Sequence, residues 1–223
     1  MSKKLIISAM YEELEQSILN SSAKLIENNE IIKLYESDNI LFAITGIGLV
    51  NASVGLSYVL SKYNIDQILN IGTCGSLNKS LKQQDFVIVK KAFYSCADAT
   101  AFGYKYGQVP RMEEFFEQEN QLFEHVKQNN RIVSSVNIAS SDIFISNKQH
   151  VDLFINKIDE NIDVIDMECT GFFHTTRLYE KDIVSVKVIS DVLFEEKPNS
   201  LQFKDFIKKA SELIWEFIKE IHL

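Results

Sequence analysis

The run Val184-Ser185-Val186-Lys187-Val188-Ile189 ends in a polar pair, Ser190-Asp191. A carboxylate delivered to the end of a buried strand has the surroundings an acid catalyst needs, because desolvation raises its pKa toward neutrality. An Asp in that place can equally cap a helix or form a turn, so its company matters. Other strand-like runs end in polar segments too: Ser8-Ala9-Met10-Tyr11-Glu12-Glu13, Thr45-Gly46-Ile47-Gly48, Gly72-Thr73-Cys74-Gly75-Ser76, Ser140-Ser141-Asp142-Ile143-Phe144 and Asp166-Met167-Glu168. Each has a plain reading. Glu12 and Glu13 place negative charge at a helix N-terminus, and Gly72 and Gly75 permit a tight turn. Gly46-x-Gly48 is not a dinucleotide fingerprint, because Asn51 stands where the third glycine belongs and no acidic residue ends the next strand.

The elements that position these segments alternate. Strands are predicted over 4–8, 31–35, 40–45, 67–71, 85–93, 132–139, 164–166 and 183–189, several too continuously apolar to face water. Ser37-Asp38-Asn39 reads as a hairpin turn. Helical spacing fills 51–62, 113–127, 148–155 and 170–179, and is clearest at the C-terminus. There Phe203, Phe206, Ile207, Ala210, Leu213, Ile214, Phe217, Ile218 and Ile221 form one face and Lys204, Lys208, Lys209, Glu212, Glu216 and Lys219 the other. Helices separating buried strands predict an α/β fold: one domain over 1–223, with a central mixed, mainly parallel β-sheet flanked by helices on both faces. Sites in such sheets gather where strands end and helices begin.

Composition narrows the function. The 223 residues are 46% apolar, enough for one sizeable core, with two prolines and no repeat or linker to divide it. A net charge of -8 argues against nucleic acid or an anionic membrane as partner. The apolar run 5–9 is too short for a signal-peptide core or a membrane span, so a soluble cytoplasmic protein is expected. Cys74, Cys96 and Cys169 form no CxxC pair and leave an odd thiol, which suits a reducing compartment. His125, His150, His174 and His222 have no metal-ligand spacing and read as surface or packing residues. No metal or cofactor is expected.

Together the strand-end segments resemble the nucleoside phosphorylase and nucleosidase superfamily, most closely its 5'-methylthioadenosine/S-adenosylhomocysteine nucleosidases. The likeness runs in order along essentially the full chain. Its most specific block is 97–110, Ala-Asp-Ala-Thr-Ala-Phe-Gly-Tyr-Lys-Tyr-Gly-Gln-Val-Pro, supported by Ala-Met-x-x-Glu (9–13), Gly-Ile-Gly (46–48), Asp-x-Phe-Ile (142–145), Met167-Glu168 and Ile-Ser-Asp (189–191). The resemblance implies a nucleoside phosphorylase-like fold and hydrolysis of the N-glycosidic bond of methylthioadenosine, S-adenosylhomocysteine and 5'-deoxyadenosine, as in methionine salvage. Such chemistry must protonate a poor leaving group, stabilise an oxocarbenium-like sugar and supply a nucleophile on the opposite face. By similarity Asp191, held by Ser190, protonates N7 of adenine. Glu168 accepts hydrogen bonds from the ribose hydroxyls and faces the developing positive charge, and Glu13 activates water. Glu12 is the alternative base, but adjacent helical residues point about 100° apart, and the spacing from Met10 matches Glu13 to the family's base.

The same resemblance lays adenine against Phe144, with Ile145 offering backbone groups to the purine edge. Met10, Ile47 and Phe203 line the 5'-thioether pocket, and Thr73 and Met167 complete the substrate-binding set. Phe102 and Pro110 close the pocket of a neighbouring subunit, which implies a homodimer. Two positions depart from the family pattern. Asp166 replaces the usual Glu before Met-Glu, and Lys187 replaces the usual Arg before Ile-Ser-Asp. Lys187 is expected to keep a positive charge near the water and ribose while losing the planar five-donor fork, at a cost in turnover. Two other readings stay open. A purine nucleoside phosphorylase needs a cationic cradle for phosphate, but this chain puts Glu13 where the anion belongs and Asn70, not Arg, before Gly72-Thr73. A non-catalytic nucleoside-binding protein would lack an acid or a base, whereas Glu13, Glu168 and Asp191 are all present.

Overall fold

The computed structural model describes residues 2–195 and 198–221, so His222 lies outside the described residues. The chain runs β1 (Lys3–Ser8), α1 (Tyr11–Asn20), β2 (Lys24–Asn28), β3 (Lys33–Ser37), β4 (Ile40–Ile44), α2 (Leu49–Lys62), β5 (Ile65–Ser76) and β6 (Phe86–Tyr94). It continues through β7 (Phe116–Glu117), α3 (Gln121–Lys127), β8 (Ile132–Ser140), α4 (Lys148–His150, running on as a π-helical stretch, Val151–Ile155), β9 (Val164–Asp166), α5 (Cys169–Leu178), β10 (Val184–Val192) and α6 (Asn199–Ile221).

The strands pair in the order β10-β6-β8-β9-β5-β1-β4-β3-β2, with β7 on β6, and β10 also pairs with β5. Strands β5, β10, β6, β8 and β9 therefore close into a barrel, and β1, β4, β3 and β2 extend from it. This corrects the open flanked sheet expected from sequence. The cause lies in β5. Residues 72–76, read as a turn, are its second half, giving a strand of twelve residues. Its first half pairs with β1 as far as Asn70. Beyond that point the same edge is taken by β9, at Gly75 and Ser76, while β10 follows the other edge from Leu69 to Ser76. Strands β8 and β6 bridge β9 back to β10 and complete the ring. Nor is the sheet mainly parallel. Parallel pairs β1–β4, β1–β5, β5–β10, β6–β8 and β8–β9 are matched among the described residues by antiparallel β2–β3, β3–β4, β5–β9, β6–β7 and β6–β10.

Helices cover both faces of the extension, and the period-two alternation of β1 shows how. Leu5 and Ile7 pack with Ala52, Leu56 and Val59 of α2 and with Phe172 and Phe173 of α5. Ile6 points the other way, into a cluster with Leu14 and Ile18 of α1, Phe123 and Val126 of α3, and Phe206, Ala210, Ile214 and Phe217 of α6. Each large side chain buried in these layers contributes roughly 1.5–3 kcal/mol. The expected helix over 113–127 is corrected to α3 alone. Asn120 caps it by accepting from Phe123 N at 2.9 Å, and Phe116 is pulled into β7, where it pairs with Ala92 and is buried.

Strand β10 carries a charge into this core. Every residue of it is buried, including Lys187, whose Nζ lies 2.8 Å from Asp166 Oδ2 with both side chains 3% exposed. Asp166, at the end of β9, also accepts from Ser140 Oγ at 2.5 Å and Cys169 N at 3.0 Å. Burial pushes the Lys187 pKa down, but attraction to Asp166 more than reverses this and holds it above the usual lysine range. Removing one member of such a pair leaves an uncompensated buried charge. Lys187→Met should therefore lower unfolding stability by about 3–5 kcal/mol in urea titration, and adding Asp166→Asn should recover part of the loss.

Candidate active site

At the C-terminal ends of β1, β5 and β10 lies an open-mouthed cleft of about 160 Å³. Met10, Glu13, Ile47, Thr73, Phe144, Ile145, Met167, Glu168, Ser190, Asp191 and Phe203 all line it. Lys187, Phe102 and Pro110 do not. Lys187 lies beneath, paired with Asp166, so the cation expected beside the ribose is engaged with a carboxylate instead. Phe102 sits in a 3-10 turn, Thr100–Phe102, and is 83% exposed. Pro110 is also exposed. The described histidines serve packing: His125 Nε2 meets Ile221 O at 2.8 Å, His150 Nδ1 meets Phe144 O at 3.2 Å and His174 Nδ1 meets the Tyr94 hydroxyl at 2.8 Å.

Asp191 reaches the cleft through a β-bulge. Against β5, Ile189 pairs with Cys74 and Asp191 with Gly75, so Ser190 is an extra residue in β10. In a regular strand neighbouring side chains point to opposite faces. The bulge brings them together, and Ser190 Oγ lies 2.6 Å from Asp191 Oδ1. Burial raises the Asp191 pKa above the usual carboxylate range, opposed by hydrogen bonds from Ser190 and Asn199. A Cβ at residue 75 would come within 2.9 Å of Asp191 Oδ2, so glycine there makes room for the carboxyl.

Glu13 is in the first turn of α1 and is buried, whereas Glu12 is exposed on another face. Its Oε1 accepts from Thr73 N at 2.7 Å and Thr73 Oγ1 at 2.8 Å. Its Oε2 accepts from Ser8 Oγ and from Met10 N at 3.3 Å. Four donors thus meet the roughly four lone-pair sites of this buried carboxyl. A Cβ at residue 72 would fall 2.9 Å from Glu13 Oε1. Gly72 and Gly75, read as turn formers, instead leave space in β5 for the two carboxyls.

Glu168 follows β9 and is buried. Its Oε1 accepts from Gly48 N at 2.9 Å, tying the β9 end to the start of α2. Asp142 Oδ1 accepts from Leu49 N at 2.8 Å beside it. Burial, then repulsion from Asp166, pushes the Glu168 pKa up to about 8 against the opposing pull of Lys187 and the Gly48 N–H. Phe144, 42% exposed, forms an aromatic wall at the cleft, while Ile145 is buried behind it.

The sequence reading missed three contributors. Ser8 stands in the sequence only as a strand end. Asp166 stands there only as a departure from the family pattern, although it lines the cleft and holds Lys187. Asn199 lines the cleft too, and its Nδ2 donates to Ile145 O at 3.0 Å. The only signal for Asn199 was a polar residue heading an otherwise amphipathic helix.

The Glu168 shift has a consequence for stability. Between about pH 4.5 and about pH 8 the folded state holds a proton on Glu168 that the unfolded chain has released. The associated stability is complete below the lower value and is lost as pH rises toward the upper one. Melting temperature measured across this window should therefore fall less steeply for Glu168→Gln than for the unaltered chain. Parallel curves would rule out the shift.

Comparison with known proteins agrees with this geometry. The family model described as the phosphorylase superfamily matches residues 3–221. A 5'-methylthioadenosine/S-adenosylhomocysteine nucleosidase from Staphylococcus aureus (strain JH9) is 33% identical over 218 residues, covering 92% of each chain. The Neisseria meningitidis enzyme of that name, solved with methylthio-immucillin-A, superposes with a TM-score of 0.87 at 26% identity, covering 100% of this chain and 99% of its own. A Borrelia burgdorferi structure described as a nucleosidase of the same kind and bound to adenine gives 0.87 at 27% identity, with 98% of both chains covered. A cleft flanked by two buried carboxylates, on a fold and sequence shared with these proteins over nearly the whole chain, places this chain in the phosphorylase superfamily, as a member of its 5'-methylthioadenosine/S-adenosylhomocysteine nucleosidase family.

Proposed function

We propose that the chain hydrolyses the N-glycosidic bond of 5'-methylthioadenosine and S-adenosylhomocysteine, and also of 5'-deoxyadenosine, releasing adenine and the 5'-substituted ribose. The observation that carries this reading is that Glu13 and Asp191, held by quite different means, face one cleft. Asp191, its pKa raised by burial, keeps a proton to give to N7 of the purine. The C1'–N9 bond then breaks with its electron pair moving to the ring. Water adds to C1' from the opposite face and passes a proton to Glu13. Two of the four donors on Glu13 are the hydroxyls of Ser8 and Thr73, which can rotate and let a water take a place among them. Glu168 meets the ribose hydroxyls, accepting through the oxygen that carries no proton. Adenine lies on Phe144 with its edge at the backbone of Ile145. Met10, Ile47 and Phe203 receive the 5' substituent, with Thr73 and Met167 against the sugar.

Phosphorolysis fits less well. Among the described residues no Lys or Arg lines the cleft, while Glu13, Asp166, Glu168 and Asp191 all do. A divalent anion would meet repulsion and no partner. The whole of 1–223 acts as one nucleosidase domain in this reading, without cofactor, in the cytoplasm. Among the described residues no helix is long and apolar enough to cross a membrane. A homodimer completes the site: Phe102, largely exposed and away from its own cleft, together with Pro110, closes the pocket of the second subunit.

The test is adenine release from the three nucleosides with and without phosphate. Release is expected to be independent of phosphate, and a phosphate-dependent sugar 1-phosphate would overturn hydrolysis. Asp191→Asn and Glu13→Gln should each lower kcat by about 100- to 10,000-fold. Tight binding of methylthioadenosine without adenine release would instead indicate a binding protein. For the dimer, Phe102→Asp should sediment as a monomer and raise KM for methylthioadenosine by about tenfold.

A further inference from the structure

Asn199 is the first residue of α6, 6% exposed, and its side chain faces the cleft rather than its own helix. A polar residue at a helix start ordinarily accepts a hydrogen bond from the backbone of the first turn. Here Leu201 N and Gln202 N already donate to Pro198 O, at 3.0 and 3.1 Å. The Asn199 amide acts as a donor instead. Its Nδ2 donates to Ile145 O at 3.0 Å, and the same side chain shares the cleft wall with Asp191, whose carboxyl it favours in the ionised form. An amide nitrogen has two N–H donors, so the bond to Ile145 leaves a second donor for the cleft.

These partners belong to different parts of the fold. Asp191 lies on β10, and Ile145 follows β8, with β6 between the two strands. The arm that joins them is itself fixed. Gln202, one turn further along α6, grips β10 beside the acid: Val192 N donates to Gln202 Oε1 and Gln202 Nε2 to Val192 O, both at 3.1 Å.

We propose that Asn199 is a positioning residue for the hydrolysis inferred above, its amide tying the Asp191 carboxyl to the Ile145 carbonyl so that the proton donor and the backbone edge that meets the purine keep one separation. The inference rests on that functional reading. Without the amide, Asp191 keeps Ser190 on one oxygen but is free to turn, and the Ile145 carbonyl loses its donor.

The test uses Asn199→Ala, which deletes the amide, and Asn199→Asp, which keeps its shape, replaces donor by acceptor and suits a helix N-terminus. For methylthioadenosine, both should lower kcat/KM by about 10- to 100-fold, chiefly through kcat and at temperatures well below the melting point of each variant. The alkaline limb of the pH profile should also move to higher pH, because a donor that favours ionised Asp191 is gone, and further in Asn199→Asp, where a second carboxylate adds repulsion. Unchanged kcat/KM and an unmoved limb in both variants would overturn the inference while leaving hydrolysis intact. So would losses that only track melting temperature with the limb unmoved. If the wild type releases no adenine, the functional reading falls and the inference with it.

Discussion

Four carboxylates share one small low-dielectric region here, and one buried ammonium reaches it. Ions in such a place repel strongly and lose their hydration, so each carboxylate needs its own remedy. Asp166 takes the ammonium, pairing with Lys187 at 2.8 Å. Glu13 takes four neutral donors. Glu168 has one backbone N–H and is pushed up to about 8. Asp191 has Ser190 and Asn199, which only partly offset its burial. These surroundings set the groups apart: burial raises the pKa of Glu168 and Asp191, whereas Glu13 has its acceptor sites filled by neutral donors.

The barrel makes that arrangement possible. Strand β5 runs past the end of β1, carrying Thr73 and Gly75 to the cleft and Gly72 up against Glu13. The two glycines give space, and Thr73 gives Glu13 a backbone and a side-chain donor. On the neighbouring strand the bulge at Ser190 turns two consecutive side chains toward each other. An unbroken strand would send one of them to the opposite face. Asp191 and Glu13 are thus set on a strand and a helix start, with little left to loop conformation.

Much of this was legible in the sequence because burial and periodicity are local signals. The α6 face, the hairpin turn and the strand-end segments follow from apolar spacing. The turn is observed as Asp38-Asn39 between paired Ser37 and Ile40, with Asp38 at φ 51. What escaped depends on partners distant in sequence. Strand β2 has no buried face, with Leu25 50% and Ile26 39% exposed, so its pairing with β3 left no pattern. The second half of β5 was hidden by its glycines, and with it the closure of the barrel. Lys187 and Asp166 each looked like a departure from the family pattern when taken singly. Their contact at 2.8 Å, both side chains buried, is a pairing that neither position announces by itself.

That pairing also bears on which nucleophile the cleft can admit, a question the fold leaves open because the superfamily takes its name from phosphorylases. A phosphate-accepting site must spend a cation on the anion. The nearest ammonium here is buried beneath the floor and neutralised by Asp166. Releasing it would leave Asp166 bare among Glu13 and Glu168, at a cost comparable to breaking a buried ion pair, several kcal/mol. Water, being neutral, asks for no such rearrangement, and needs only an acceptor already held in place. The identity of the attacking group is therefore decided less by the residues that would touch it than by the commitment of a lysine one layer below.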